Sequence, residues 1–166
     1  MKTALIALAL LLPTSAVAAP DGAEKGAKEL LAAFLKPDAD CQTLSKTLRP
    51  TRDDYKAVFE GAAAAKAEAG YKKLWDEGIV VVAPGPRQTE LILGSATTDD
   101  IKTGGPTAKE LPGGYAKVAD SLKKGVTFWR FQFVEKGKTA GIAFDGLVFV
   151  NGHWVIFPKP WRVLAK

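Results

Sequence analysis

Apolar residues recur every three or four positions in the first part of the chain and every second position from Phe128 onward, so helices are expected first and strands last. Asp21 and Glu24 have the spacing of a capping box, and Ala27, Leu30, Leu31, Phe34 and Leu35 form a stripe that stops before Pro37. The stretch from Pro37 to Pro50 reads as a loop. Thr51 predicts a second helix start, with Asp53 and Asp54 favourably placed against the helix dipole. Tyr55, Val58, Phe59 and Ala62 continue that helix toward Ala69 or Trp75, and its alanine-rich end offers a thin face for close packing.

Ile79–Ala83 and Thr89–Gly94 predict two short strands around a turn at Pro84-Gly85-Pro86-Arg87. Glycine, proline and threonine dominate 97–114, which predicts an irregular crossing with one helical turn near Thr98–Ile101. Tyr115, Val118, Ala119 and Leu122 predict a third helix, stopped by Gly125.

Turns at Lys136-Gly137 and Asn151-Gly152 divide the remainder into an antiparallel meander, giving an α+β fold. Two-residue loops would pair Glu135 with Lys138, Val150 with His153, Phe131 with Ile142 and Val148 with Val155. One face would then carry Trp129, Phe131, Phe133, Ile142, Phe144, Val148, Val155 and Phe157, and would pack on the helices. The other would hold Phe128, Arg130, Gln132, Asp145, Leu147, Phe149, Trp154 and Ile156. That surface is too apolar to stay bare, so the N-terminal segments cover it, it lines a pocket, or a second subunit meets it.

The first eighteen residues add an address. Lys2, the apolar run Ala4–Leu12 and Ala16-Val17-Ala18 form the three parts of a secretory signal peptide, with mature chain from Ala19 and export to a periplasm or the medium. The run is too short for a stable membrane anchor. Residues 19–50 then form an N-terminal helix and loop, and 51–166 the body of the same single domain. A formal net charge of +5 includes Lys2, and the remaining basic residues are scattered among acids, so no nucleic-acid footprint is expected. Cys41 is the only cysteine, which rules out an internal disulfide and fits an inert buried thiol or a bridge to a second chain.

Candidate chemistry is sparse. Arg130 and Asp145 lie within reach of each other on the second face, with Gln132 as a third polar wall and Trp154 among the aromatic residues around them. They satisfy one another in a half-covered sheet, or Arg130 anchors an acidic ligand in an apolar cavity. His153, the single histidine, falls at a hairpin tip without a second metal ligand or a nucleophile motif. The acidic doublets 53–54, 76–77 and 99–100 point apart on a helix, Asp38 and Asp40 lack the rest of a calcium loop, and 83–87 lacks the lysine of a phosphate loop. No metal and no cofactor is called for.

The order of helices, crossing segment and closing meander ending in Phe157-Pro158-Lys159-Pro160-Trp161-Arg162 resembles the nuclear transport factor-like, or cystatin-like, superfamily over Thr51 to Arg162. The resemblance implies a curved sheet wrapping a helix and leaving a cavity at its open end. It also implies a range of roles: binding proteins, small hydrolases and isomerases, and dimerisation modules. Its enzymes use cavity aspartates and histidines; Asp145 matches in kind, while His153 is peripheral. Three functions follow as expectations. The first is a noncatalytic exported domain binding a small apolar or acidic molecule, or a protein partner, around Arg130, Gln132, Asp145 and Trp154. The second is a cofactor-free enzyme with Asp145 as acid or base, and the third a homodimer joined through the aromatic face.

Overall fold

The computed structural model describes residues 22–165, so the signal-peptide reading and the Asp21 cap lie outside the described residues. Helix α1 (Glu24–Ala32) buries Ala27 and Leu31 and runs into a 3₁₀ turn at Ala33–Leu35. The segment expected to be a loop contains a short helix, α2 (Cys41–Lys46). Asp40 caps it by accepting the Thr43 amide at 3.0 Å and the Thr43 hydroxyl at 2.7 Å, local bonds that need no apolar stripe.

The expected second helix is two helices, α3 (Arg52–Val58) and α4 (Gly61–Asp76). The break falls where the chain finds partners elsewhere: Phe59 bridges Leu122, the Glu60 amide donates to Ser121, and the Lys123 amide donates to Val58. Periodicity ran through the break because Phe59 is fully buried whether or not its backbone is helical. The small face of α4 does pack closely: a side-chain carbon on Gly70 would overlap Val163 of the final helix α6 (Pro160–Leu164).

Ile79–Ala83 is extended but forms no ladder, which corrects the strand expected there. It is held instead by single bonds, from the Ile79 amide to the nearby Leu74 carbonyl and from the Val82 amide to the distant Ser45 hydroxyl at 2.8 Å. The next strand does form, as β1 (Glu90–Thr97), followed by α5 (Thr98–Thr103). The third helix expected around Tyr115 is a 3₁₀ helix, Gly113–Ser121, with Tyr115, Val118 and Ala119 buried.

The meander consists of β2 (Thr127–Val134), β3 (Gly141–Val150) and β4 (His153–Ile156), and with β1 it makes a four-stranded antiparallel sheet in the order β1-β2-β3-β4. The Asn151-Gly152 turn takes positive φ at both residues and sets Val150 against His153 and Val148 against Val155. The first turn is longer than two residues: Val134 pairs with Gly141, which puts Phe131 opposite Phe144 instead of Ile142. That two-residue shift leaves every side chain on its face.

A bulge does not. The register slips by one between Trp129 and Arg130, where β3 inserts Gly146 at φ 91°. An odd shift exchanges faces for everything beyond it. Leu147, Phe149, Trp154 and Ile156 therefore join Trp129, Phe131 and Phe133, whereas Val148 and Val155 join Phe128, Arg130 and Asp145.

Both faces are covered. Phe128 packs edge-on against Tyr115 at 5.2 Å, and Phe157 meets Tyr55, Phe59 and Tyr71 at 5.2–5.8 Å. On the opposite face Trp154 contacts Trp129 and Phe149, Gly22 sits on Phe149, and α1 lies against β1. One core cluster runs from Ala27 to Leu164, and each large side chain in it contributes on the order of 1.5–3 kcal/mol. Among the described residues no helix is long and apolar enough to cross a membrane.

Gly146 is a position where the sheet has no room for a side chain. A side-chain carbon there would overlap the Phe157 carbonyl and would have to hold a positive φ. Gly146→Ala is expected to destabilise the domain by about 2 kcal/mol or more in urea denaturation, against about 0.5 kcal/mol for alanine at the solvent-facing Gly113.

Candidate functional site

Asp145 is the buried carboxylate around which the chain end is arranged; it is 5% exposed. Its Oδ1 accepts the Tyr115 hydroxyl at 3.0 Å and the Lys159 backbone amide at 2.9 Å. Both donors come from segments that sequence spacing does not connect to β3. Tyr115 is brought by its 3₁₀ helix onto Phe128, and Lys159 by a corner between Pro158 and Pro160 that ends β4. Lys159 holds φ 51°, costly for a side-chain-bearing residue, and its bond to Asp145 fixes it there. Tyr71 adds a second anchor by donating to the Pro158 carbonyl at 3.0 Å.

Burial raises the Asp145 carboxyl above its ordinary pKa; the Lys159 amide, the Tyr115 hydroxyl and the nearby Lys159 and Arg162 charges oppose that rise without cancelling it. Burial and then the Asp145 charge push the Tyr115 hydroxyl far up, so it acts as a neutral donor. With both bonds on Oδ1, Oδ2 accepts none among the described residues, and Asp145 is part of the wall of a cleft of about 680 Å³.

This cleft lies between α4, α6, the extended 79–82 segment and the start of β3. Leu74, Val80, Val82, Ile156 and Val163 give it an apolar lining, and Lys73, Glu77, Lys159 and Arg162 stand around it. Lys73 is matched by Glu77 at 3.8 Å, whereas Lys159 and Arg162 form no salt bridge among the described residues. Ile79 and Val81 are 60% and 39% exposed, an unusual position for β-branched residues.

The four residues singled out in the sequence separate. Arg130 and Asp145 are cross-strand partners, yet no ion pair joins them: Asp145 turns to Tyr115, and Arg130 lies over Gly94, its Nε 3.4 Å from where a side-chain carbon on Gly94 would sit, next to Glu110. Gln132 donates to the Thr139 and Gly141 carbonyls and holds the first hairpin loop. Trp154 is buried on the opposite face, its indole N–H without a hydrogen-bond partner among the described residues. Only Asp145 reaches the cleft. The sign that could have pointed there is Pro158-Lys159-Pro160, since two prolines cannot continue a strand and force a corner beside β3.

His153 has a partner that spacing did not reveal. Its Nε2 lies 3.1 Å from Oδ2 of Asp54, which also accepts the Thr51 amide and hydroxyl at 2.7 Å, while Asn151 donates to Oδ1 at 2.7 Å. Burial would raise this carboxyl, but the Thr51 and Asn151 bonds and the His153 charge outweigh it and hold Asp54 below the usual carboxylate range. The cluster straps the α3 capping box to the β3–β4 hairpin. Cys41 is a half-buried free thiol, its Sγ 3.8 Å from the Phe34 carbonyl, and no group of three metal-ligating side chains occurs among the described residues.

The two carboxylates give opposite pH signatures. A raised folded pKa means that the native state binds protons more tightly, so Asp145 makes stability fall as pH rises from about 4 through its folded pKa. In Asp145→Asn the amide oxygen can keep both Oδ1 bonds. The variant is expected to match or exceed the parent in stability at pH 7 and to lose that slope, as read by urea denaturation from pH 3 to 8. The lowered pKa of Asp54 supplies stability that is complete above about 4 and fades as pH falls through its folded value. Asp54→Asn is expected to cost about 1.5–3 kcal/mol at pH 7, with the gap closing below pH 4.

Comparison of the chain with protein-family models, curated proteins and solved structures finds no match, so the site is read from its own geometry.

Proposed function

We propose that the chain is an exported, noncatalytic binding domain that takes an acidic, partly apolar ligand in the cleft beside Asp145. The observation that carries this reading is the pairing of an apolar lining with two cations, Lys159 and Arg162, that form no salt bridge among the described residues and have only Asp145 as a nearby acid. A volume of about 680 Å³ lies within the range of small-molecule sites, roughly 300–1,000 Å³. The aromatic sheet face is not used, because the N-terminal segment occupies it. Arg130 is likewise not the anchor; Arg162 and Lys159 take the role first assigned to it, the apolar body of the ligand lies on Leu74 and Val163, and Asp145 orients any donor group through Oδ2.

Octanoate, octanol and octylamine separate charge from chain. Octanoate is expected to bind at least tenfold more tightly than octylamine, moving the amide signals of Ile79–Val82 and Ala143–Asp145. Lys159→Glu with Arg162→Glu should reverse that order. Equal binding of all three, or shifts confined to other residues, would overturn the reading. A second reading, acid–base catalysis by Asp145, is favoured by its burial and by the missing Arg130 bridge. It requires hydrolysis of 4-nitrophenyl octanoate that vanishes in Asp145→Asn.

A further inference from the structure

The cleft has a second property that a small carboxylate does not use. On its outer edge β3 pairs with β4 only over Leu147–Val150, because Pro158 and the corner at Lys159 turn the chain away after Phe157. Among the described residues Gly141–Asp145 therefore have no ladder partner on that side, although β2 is paired to them on the other. Open edges are usually guarded by charge, proline or a covering element. Here Gly141-Ile142-Ala143-Phe144 carries neither charge nor proline, its first three residues are exposed, and the 79–82 segment stands across the cleft from it as a second extended run.

We propose that the cleft binds an extended peptide bearing a carboxylate, which adds as a fifth strand to the open edge of β3 over Gly141–Asp145. This rests on the cleft being the binding site. Main-chain bonds to β3 would supply affinity independent of sequence. Alternate side chains of the peptide would lie on Ile79 and Val81, covering two of the most exposed apolar residues described. Charge decides the class of peptide: Lys159 and Arg162 form no salt bridge among the described residues and outnumber the one carboxylate beside them, Asp145, so an acidic side chain or a free carboxyl end belongs there. A hydrocarbon acid satisfies the same cations and leaves the edge unpaired, which makes the two occupants separable by experiment.

The probe is an acetylated octapeptide alternating valine with threonine or serine and ending in a free carboxyl. Two companions are N-methylated along one or the other of its edges, and octanoate serves as the small-molecule control. Binding is expected to slow amide exchange in Gly141–Asp145 at least tenfold. Methylation of one edge should weaken affinity at least tenfold while methylation of the other leaves it intact, since only β3 pairs with the peptide. Arg162→Glu should weaken the parent peptide at least fivefold. Octanoate binding without peptide protection overturns the strand addition and leaves the cleft reading standing; failure of both probes overturns both. A dimer protected over the same residues without peptide would make a second copy of this chain the occupant and overturn the proposal.

Discussion

The carboxyl of Asp145 ties together three parts of the chain: β3, the 3₁₀ helix that carries Tyr115 and the corner at Lys159. Burying a carboxylate costs several kcal/mol unless donors are waiting for it, and here one donor is a tyrosine hydroxyl from a 3₁₀ helix and the other a backbone amide in an αL corner. Each depends on the others. Without Asp145 the Lys159 corner loses the bond that fixes its positive φ, and without that corner the chain would have no fixed turn away from β3. The cleft exists because β4 ends there.

The Gly146 bulge is the second constraint, and it acts one residue from the first. By inserting a single residue it gives Val148 and Val155 to the face of Phe128 and Tyr115, and Trp154 and Leu147 to the face beneath the N-terminal segment. The sheet is thereby buried on both sides, a demanding arrangement for an antiparallel meander. Only glycine fits, because any side chain would meet the Phe157 carbonyl. Bulge, buried carboxylate and corner thus form one local device that ends a strand, opens an edge and sets a charged rim beside it. The Asp54 strap at the far hairpin steadies the opposite end of β3 with a second buried carboxylate, this one bonded through both oxygens.

Much of the architecture was legible. The Thr51 start, the Asn151-Gly152 turn, the α5 turn after Thr97 and the α+β order each depend on interactions spanning a few residues, and local chemistry is enough to read those. The α2 helix was missed although Asp40 and Thr43 carry its cap, because one turn has too few apolar positions to show a period. The face assignment failed at Gly146, since a glycine within a strand marks a bulge only when the partner strand is known. Of the four candidate residues only Asp145 lines the cleft, and its partners are Tyr115 and Lys159 rather than Arg130.

By itself the sequence determined the elements, the tight second hairpin and the need to bury both faces of an aromatic sheet, all consequences of periodicity, turn conformation and apolar surface. Tertiary structure decided where the bulge shifts the register, which donors meet Asp145, and that Ile79–Val82 stands opposite an open strand edge instead of joining the sheet. Those outcomes depend on contacts between residues tens of positions apart, where closing the chain competes with every alternative packing, and no local pattern records the winner.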